Sequence, residues 1–225
     1  MQNAVIITAA GSSNRFNEGS SVREKKEFRK MDGHTVLYRS VKPFTAIDGI
    51  VLFVVTYSEG LLERTVESLE DLPQGRNFLF VPGGNTRQES VFRALLEINE
   101  KYPKINYVAI HDGARPFVTQ NLISKTFDKA FLTGAAAPAV ELRDTIVIPD
   151  ENGAIRSRVD RRLIKAVQTP QIFKFSEIFR AHKEAAADKM QYTDDTQIMT
   201  DYGADVYLVA GDIDNMKITF AKDLK

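Results

Sequence analysis

Short apolar runs of strand length alternate with longer stretches of helical periodicity, and that alternation leaves few folds open to the chain. Strands are expected at residues 4–8, 50–56, 77–81, 107–112 and 134–140, and helices at 35–44, 59–69, 87–100 and 119–132. The strand runs carry Val, Ile and Phe at consecutive positions rather than in alternation, as when both faces of a sheet are buried. Repeated β–α units of this length build an α/β fold, a Rossmann-like, mostly parallel sheet with helices on both faces. Such sheets bind ligands at the carboxyl ends of their strands, near the point where the strand order reverses.

The rhythm breaks over residues 141–165. Two strand-like pieces at 145–148 and 154–159 flank Pro149-Asp150-Glu151-Asn152-Gly153, which has the chemistry of a hairpin turn. The hairpin is highly charged and short of large apolar groups, so it cannot form a core alone. It reads either as an arm that projects onto a partner subunit or as an ordinary edge hairpin. Helices follow at 176–188 and 194–202, then a strand at 205–209. With no internal repeat, low-complexity tract or linker, one domain over residues 1–225 with 141–165 as its arm is the economical organisation.

Lys and Arg together number 30 and so do Asp and Glu, so no net basic field exists to hold nucleic acid. An anionic ligand must instead meet locally placed cations. The absence of cysteine excludes a thiol nucleophile and a disulfide framework. No apolar run approaches the ~20 residues of a membrane span, and no signal peptide is evident, so a cytoplasmic location is expected.

Four loops after strands could carry chemistry. Ala9, Ala10 and Gly11 open the first, where small residues let backbone N–H groups approach a phosphate, with Arg15 adding a donor fork. A basic cluster of Arg23, Lys25, Lys26, Arg29 and Lys30 follows. The loop has neither the three glycines of a dinucleotide fingerprint nor the Gly-Lys-Ser/Thr of a P-loop, and its bland alternative is a solvated surface loop. The second, Pro82-Gly83-Gly84-Asn85-Thr86-Arg87, enters a helix that carries Ser90. It could frame a flat or anionic group, or be a turn with an N-cap. The third, His111-Asp112-Gly113-Ala114-Arg115-Pro116, puts an acid at a strand's carboxyl end, either facing substrate or closed into an Asp112–Arg115 pair. Strand alternation turns His111 away, to a structural role. The fourth, Asp214-Asn215-Met216-Lys217, ends on a cation that could reach a triphosphate or simply be solvated.

In this order the loops resemble the 2-C-methyl-D-erythritol 4-phosphate cytidylyltransferase family of the non-mevalonate isoprenoid pathway. Arg143-Asp144-Thr145, Val159-Asp160-Arg161, Gln168-Thr169-Pro170-Gln171 and Thr193-Asp194-Asp195 continue the likeness along almost the whole chain. The resemblance implies transfer of CMP from CTP to a polyol phosphate, methylerythritol 4-phosphate. It implies that Ala9, Ala10, Gly11, Arg15 and Lys26 hold the triphosphate, and that Gly83, Asn85 and Ser90 frame the cytosine. Asp112 and Lys217 would then lie between nucleotide and acceptor. Arg115, Thr169 and Thr193 would contact the acceptor, as would Thr145 and Arg161 reaching over from the arm of a neighbouring subunit in a homodimer. Mg²⁺ held mainly through substrate phosphates is the implied cofactor.

The likeness has departures. Family members usually have a second glycine where Ser13 stands, and their Pro-Lys-Gln becomes Lys25-Lys26-Glu27, with a loop a few residues longer. Lys26 aligns with the family's catalytic lysine, with Lys25 as its rival. The missing proline removes a φ restraint, so a more mobile loop is expected before CTP binds. The competing functions are a ribitol-5-phosphate cytidylyltransferase on the same scaffold and an inactive nucleotide-binding module. Intact Arg15, Lys26, Asp112 and Lys217 speak against the latter.

Overall fold

The computed structural model describes residues 1–19, 21 and 23–224. Ser20 and Val22, inside the first loop, and Lys225, at the end of the expected domain, lie outside the described residues. The elements run β1 (Asn3–Thr8), β2 (Lys30–Met31), β3 (His34–Thr35), α1 (Val36–Val41), β4 (Ile50–Tyr57), α2 (Leu62–Glu67), β5 (Phe78–Pro82), α3 (Arg87–Lys101), β6 (Tyr107–Asp112), α4 (Gln120–Thr133) and β7 (Ala135–Glu141). Then follow β8 (Ile146–Pro149), β9 (Ile155–Val159), β10 (Lys165–Val167), β11 (Gln171–Lys174), α5 (Phe175–Ala187), α6 (Asp195–Asp201) and β12 (Tyr207–Ala210).

The sheet is α/β and mostly parallel, as its apolar runs require. β5, β4, β1 and β6 pair in parallel, and β12 pairs in parallel with β7. Between β6 and β7 lies β11, antiparallel to both, while β10 pairs antiparallel with β7. Successive residues of β1 enter opposite cores: Ala4 and Ile6 pack with α3, α5 and α6 on one face, Val5 and Ile7 with α1 and α4 on the other. Both cores are fully shielded at these positions, which is why the sequence shows runs and not alternation.

Two expected helices are shorter than their periodicity suggested. The helix expected over residues 35–44 stops at Val41 and becomes a 3₁₀ turn, Lys42–Ala46, because Pro43 has no N–H to continue the α ladder. The helix expected over 59–69 shrinks to α2, preceded by a turn in which Leu61 N donates to Ser58 O. Strands β10 and β11 carry no periodic signal of their own, being 3 and 4 residues long with Pro170 between them.

The arm is a separate two-stranded hairpin, Ile146 pairing with Val159 and Pro149 with Ile155. Asp150 organises its turn, accepting from Asn152 N and Ala154 N, and Gly153 supplies the left-handed residue (φ 83°).

Candidate functional site

Register fixes the floor of the site. Thr8 pairs with both Thr56 and Asp112, so the carboxyl ends of β1, β4 and β6 finish level. The strand order reverses around β1, since the chain runs outward through β4 and β5 and returns to add β6 on the other side. Backbone bonds then tie the emerging loops together, Ala9 N to Thr56 O (3.2 Å), Gly113 N to Thr8 O (3.0 Å) and Gly83 N to Tyr57 O (2.8 Å). Above them opens a cleft of about 680 Å³.

The wall formed by Gly83–Thr86 is bolted to the first turn of α3. Ser90 Oγ accepts from Gly84 N (3.0 Å) and donates to Thr86 O (2.9 Å), and Glu89 accepts from Asn85 N (2.8 Å). A Cβ on Gly83 would lie 2.2 Å from Ala10 Cβ and 3.0 Å from Ser90 Oγ. Only glycine lets the first and second loops close on each other there.

At the end of β6 stands a cluster of cations around one carboxylate. Asp112, buried at the end of β6, lies 2.9 Å from Lys217 Nζ and 3.4 Å from both Arg87 Nε and Arg115 Nε. Burial works against its charge, but Lys217, Arg87 and Arg115 outweigh burial and hold its carboxyl far below the usual range. The Asp112–Arg115 pair is therefore real but not self-contained. Lys26, on a 3₁₀ turn (Lys26–Phe28), reaches across to donate to Ile218 O at 2.7 Å. Desolvation lowers its pKa and the neighbouring Glu27 opposes that shift. Lys25 points elsewhere in the cleft, donating to Gly11 O and Ser58 Oγ. Its pKa too is lowered by burial, against the pull of Glu27.

Ser13 occupies the left-handed region (φ 56°) that a glycine would take freely. Such a conformation costs a side-chain residue about 1–3 kcal/mol. Its hydroxyl offsets part of that, donating to buried Glu27 Oε2 at 3.2 Å.

Of the residues singled out from sequence, Ala10, Gly11, Arg15, Lys26, Asn85, Ser90, Asp112 and Lys217 line the cleft. Ala9 and Gly83 lie beneath it as packing and backbone. Arg115 and Thr169 stand behind Asp112. Arg115 Nη1 donates to Asn215 O (2.7 Å), and Thr169 Oγ1 accepts from Asp112 N (3.1 Å) and contacts His111 Nδ1 (3.0 Å). His111 is structural as expected, fully buried, with burial pushing its pKa down to about 3. Thr193 is exposed between α5 and α6. Thr145 and Arg161 sit exposed on the arm, away from this chain's own cleft, where Arg161 Nη1 donates to Arg143 O (3.0 Å) and ties the arm's two ends. Arg87, one helical turn before Ser90, lines the cleft as well and joins Asp112 to a second buried acid, Asp195. Ser58 and Glu27 also line the cleft; Glu27 stands in the Lys25-Lys26-Glu27 run, while nothing in the sequence context of Ser58 marks it.

A family model described as 2-C-methyl-D-erythritol 4-phosphate cytidylyltransferase, IspD, matches residues 3–225. A protein of that name from Clostridium novyi is 37% identical over 226 residues, covering 99% of this chain and 94% of the relative. The crystal structure of 4-diphosphocytidyl-2C-methyl-D-erythritol synthase from Anaerococcus prevotii superposes with a TM-score of 0.84 at 26% identity, covering 99% of this chain and 92% of that one. The 2-C-methyl-D-erythritol 4-phosphate cytidylyltransferase of Thermus thermophilus superposes with a TM-score of 0.78 at 31% identity, over 100% of this chain and 96% of that one.

Proposed function

The chain belongs to the 2-C-methyl-D-erythritol 4-phosphate cytidylyltransferase family, and on that premise we propose how its cleft moves CMP from CTP to methylerythritol 4-phosphate. The products are 4-diphosphocytidyl-2-C-methyl-D-erythritol and pyrophosphate, in isoprenoid precursor biosynthesis. The observation that carries the assignment of residues is the convergence of Arg15, Lys26 and Lys217 on one cleft at the carboxyl ends of β1 and β6.

An oxygen of the acceptor's phosphate attacks the α-phosphorus of CTP, and the bond from that phosphorus to the bridging oxygen breaks as pyrophosphate leaves. The acceptor is already an anionic nucleophile, so no side chain need take a proton from it. The obstacle is charge: each pair of unit charges 4 Å apart repels by about 4 kcal/mol at an effective dielectric near 20. Arg15 and Lys26 hold the triphosphate and Lys217 faces the reacting phosphorus, offsetting repulsion in the ground state and the charge on the equatorial oxygens in an in-line transition state. Asp112 sets the position of Lys217. Gly83, Asn85 and Ser90 frame the cytosine from the wall on α3, with Ala9, Ala10 and Gly11 beneath the phosphates.

The cleft's donor set suits Mg²⁺ bound chiefly by substrate. Its carboxylates are Asp112 and Glu27, both already engaged by cations or hydroxyls. No cluster of three or more potential metal-ligating His, Cys, Asp or Glu exists among the described residues. Phosphate oxygens would supply most ligands, and Asp112, a candidate protein ligand, is already held by three cations. When bound, the ion neutralises phosphate charge.

The remaining assignments concern the arm. One domain with residues 141–165 projecting from it would form a homodimer, Thr145, Arg161, Arg115, Thr169 and Thr193 serving the acceptor. Support comes from the exposure of Ile148 (53%), Ile155 (61%) and Leu163 (82%), since a two-stranded hairpin with bare apolar side chains is only marginally stable alone. No helix among the described residues is long and apolar enough to cross a membrane.

Pyrophosphate release measured with CTP and Mg²⁺ tests the reading, with methylerythritol 4-phosphate or ribitol 5-phosphate as acceptor. Turnover with the former, reduced about 100-fold or more in Lys26→Ala, is expected. No turnover with either acceptor sinks the enzyme reading, and preference for ribitol phosphate sinks the pathway assignment.

A further inference from the structure

Behind the cleft lies a pair of ionisable groups that the transfer reaction does not touch. His182 on α5 and Asp195 at the start of α6 have no exposed side-chain surface. His182 Nε2 lies 3.0 Å from Asp195 Oδ1, and Asp195 Oδ2 accepts from Arg87 Nη1 at 2.5 Å. Arg87 Nε lies 3.4 Å from Asp112 Oδ1, and Asp112 Oδ2 lies 2.9 Å from Lys217 Nζ. The series is unbroken from α5, through the first residue of α3, to the cation in the cleft.

Stability alone does not account for it. Burying a carboxylate costs several kcal/mol before its partners repay it, and well-packed apolar side chains often do as well. What the arrangement supplies is direction. Arg87 spends Nε on one carboxylate and Nη1 on another, so its guanidinium plane is fixed from two sides. Were Asp195 absent, the same fork could close on Asp112 with two donors and draw the carboxylate away from Lys217. His182 in turn claims Oδ1 of Asp195, leaving Oδ2 for Arg87. The carboxylate partner calls for the hydrogen on Nε2. Nδ1 has no hydrogen-bond partner among the described residues, and the Phe92 ring stacks against the imidazole at 6.2 Å and 16°. Burial opposes the charge of Asp195, but Arg87 and His182 outweigh it and keep its carboxyl below the usual range.

We propose that His182 and Asp195 are a buried positioning pair that orients Arg87, and through Arg87 sets the Asp112 carboxylate that holds Lys217 in the cleft. The inference rests on the cytidylyl-transfer reading for its effect on rate, but its effect on Arg87 can be observed without turnover. The Nε–H resonance of Arg87, assigned by its loss in Arg87→Lys, should be sharp and slow to exchange in the wild type and in His182→Gln, whose amide can still donate to Asp195. It should broaden or vanish in His182→Leu and Asp195→Asn. With CTP and methylerythritol 4-phosphate, His182→Leu and Asp195→Asn should lose about tenfold or more in kcat while KM for CTP stays within about twofold. His182→Gln should recover most of the rate. A purely structural role predicts otherwise, and so overturns the proposal, in any of three ways. The Arg87 signal could survive in both His182→Leu and Asp195→Asn, His182→Gln could fall as far as His182→Leu, or Ile178→Val, a core cut on the same helix, could lower kcat equally. A wild type that transfers no CMP defeats the reading of the cleft, and the Arg87 resonance still decides the pair.

Discussion

Asp112→Asn is the sharpest probe of the cationic cleft. The substitution preserves shape and removes the countercharge shared by Lys217 at 2.9 Å and by Arg87 and Arg115 at 3.4 Å. The carboxylate's side chain is 7% exposed, so its partners lose a charge that solvent cannot replace. Breaking a buried pair costs about 3–5 kcal/mol. An asparagine oxygen still accepts one hydrogen bond, which puts the expectation near ~3 kcal/mol. In a domain of this size each kcal/mol moves Tm by roughly 2–4 °C, so a drop of roughly 6–12 °C is expected near neutral pH. The pH dependence has a definite sign. A carboxyl held below its ordinary 3.8 stabilises the fold above that value and loses the contribution as pH falls below it. Wild type and variant should therefore converge in strong acid. The uncompensated cations should also make the variant more responsive to anions, so inorganic pyrophosphate should raise its Tm more than that of the wild type. Thermal unfolding followed by circular dichroism at low salt, with and without pyrophosphate, reads all of this. A drop below about 2 °C, or equal pyrophosphate shifts in the two proteins, would refute the view of Asp112 as the anchor of three cations.

Gly83→Ala should weaken CTP binding with a stability cost of about 1–3 kcal/mol, because its Cβ would meet that of Ala10 at 2.2 Å; isothermal titration with CTP checks it. Burial raises the pKa of Glu27 against Lys26, Lys25 and Ser13. A raised carboxyl is destabilising once the unfolded chain has ionised, so Glu27→Gln should gain in Tm at about pH 8 and lose that gain towards about pH 4; a gain that grows on acidification contradicts the reasoning. Leu163→Asp, at an arm residue 82% exposed, should convert a dimer to monomer in sedimentation velocity. If the protein is monomeric throughout, the arm does not dimerise it.

What the sequence reveals depends on whether the physics is local. The parallel strands are legible because burial on both faces demands runs such as Val5-Ile6-Ile7 and Leu52-Phe53-Val54-Val55. β11 escapes because its few residues follow Pro170 and pair antiparallel between distant strands. The cleft's cations are legible for a similar reason: loops at the ends of apolar runs are few, and Arg15, Lys26 and Lys217 stand in them. The support beneath them is not. Asp195 meets Arg87 across 108 residues and His182 across 13, through side chains that read on their own helices as an N-terminal acid and a core-facing histidine. Only tertiary packing makes them neighbours.

The first loop shows how a departure from the family pattern can be absorbed rather than merely tolerated. Ser13 and Lys25, where the resemblance implies glycine and proline, bring one conformational freedom fewer and one restraint fewer. Both replacements are side chains that bond within the loop. Ser13 stays in the glycine-like region and donates to Glu27. Lys25 spans from Gly11 O to Ser58 Oγ. Asn17 exchanges hydrogen bonds with Glu24, donating to its carbonyl and accepting from its N–H at 2.9 and 2.8 Å. A proline restrains φ permanently, whereas these contacts can be exchanged for a ligand's. A triphosphate entering beside Gly11 offers Lys25 a far stronger acceptor than a carbonyl and a hydroxyl. Lys25 and Lys26 are thus held in different ways, Lys26 braced on Ile218 across the cleft and Lys25 on the loop itself, so loss of triphosphate affinity in Lys25→Ala as well as in Lys26→Ala would mean that both lysines hold the phosphates.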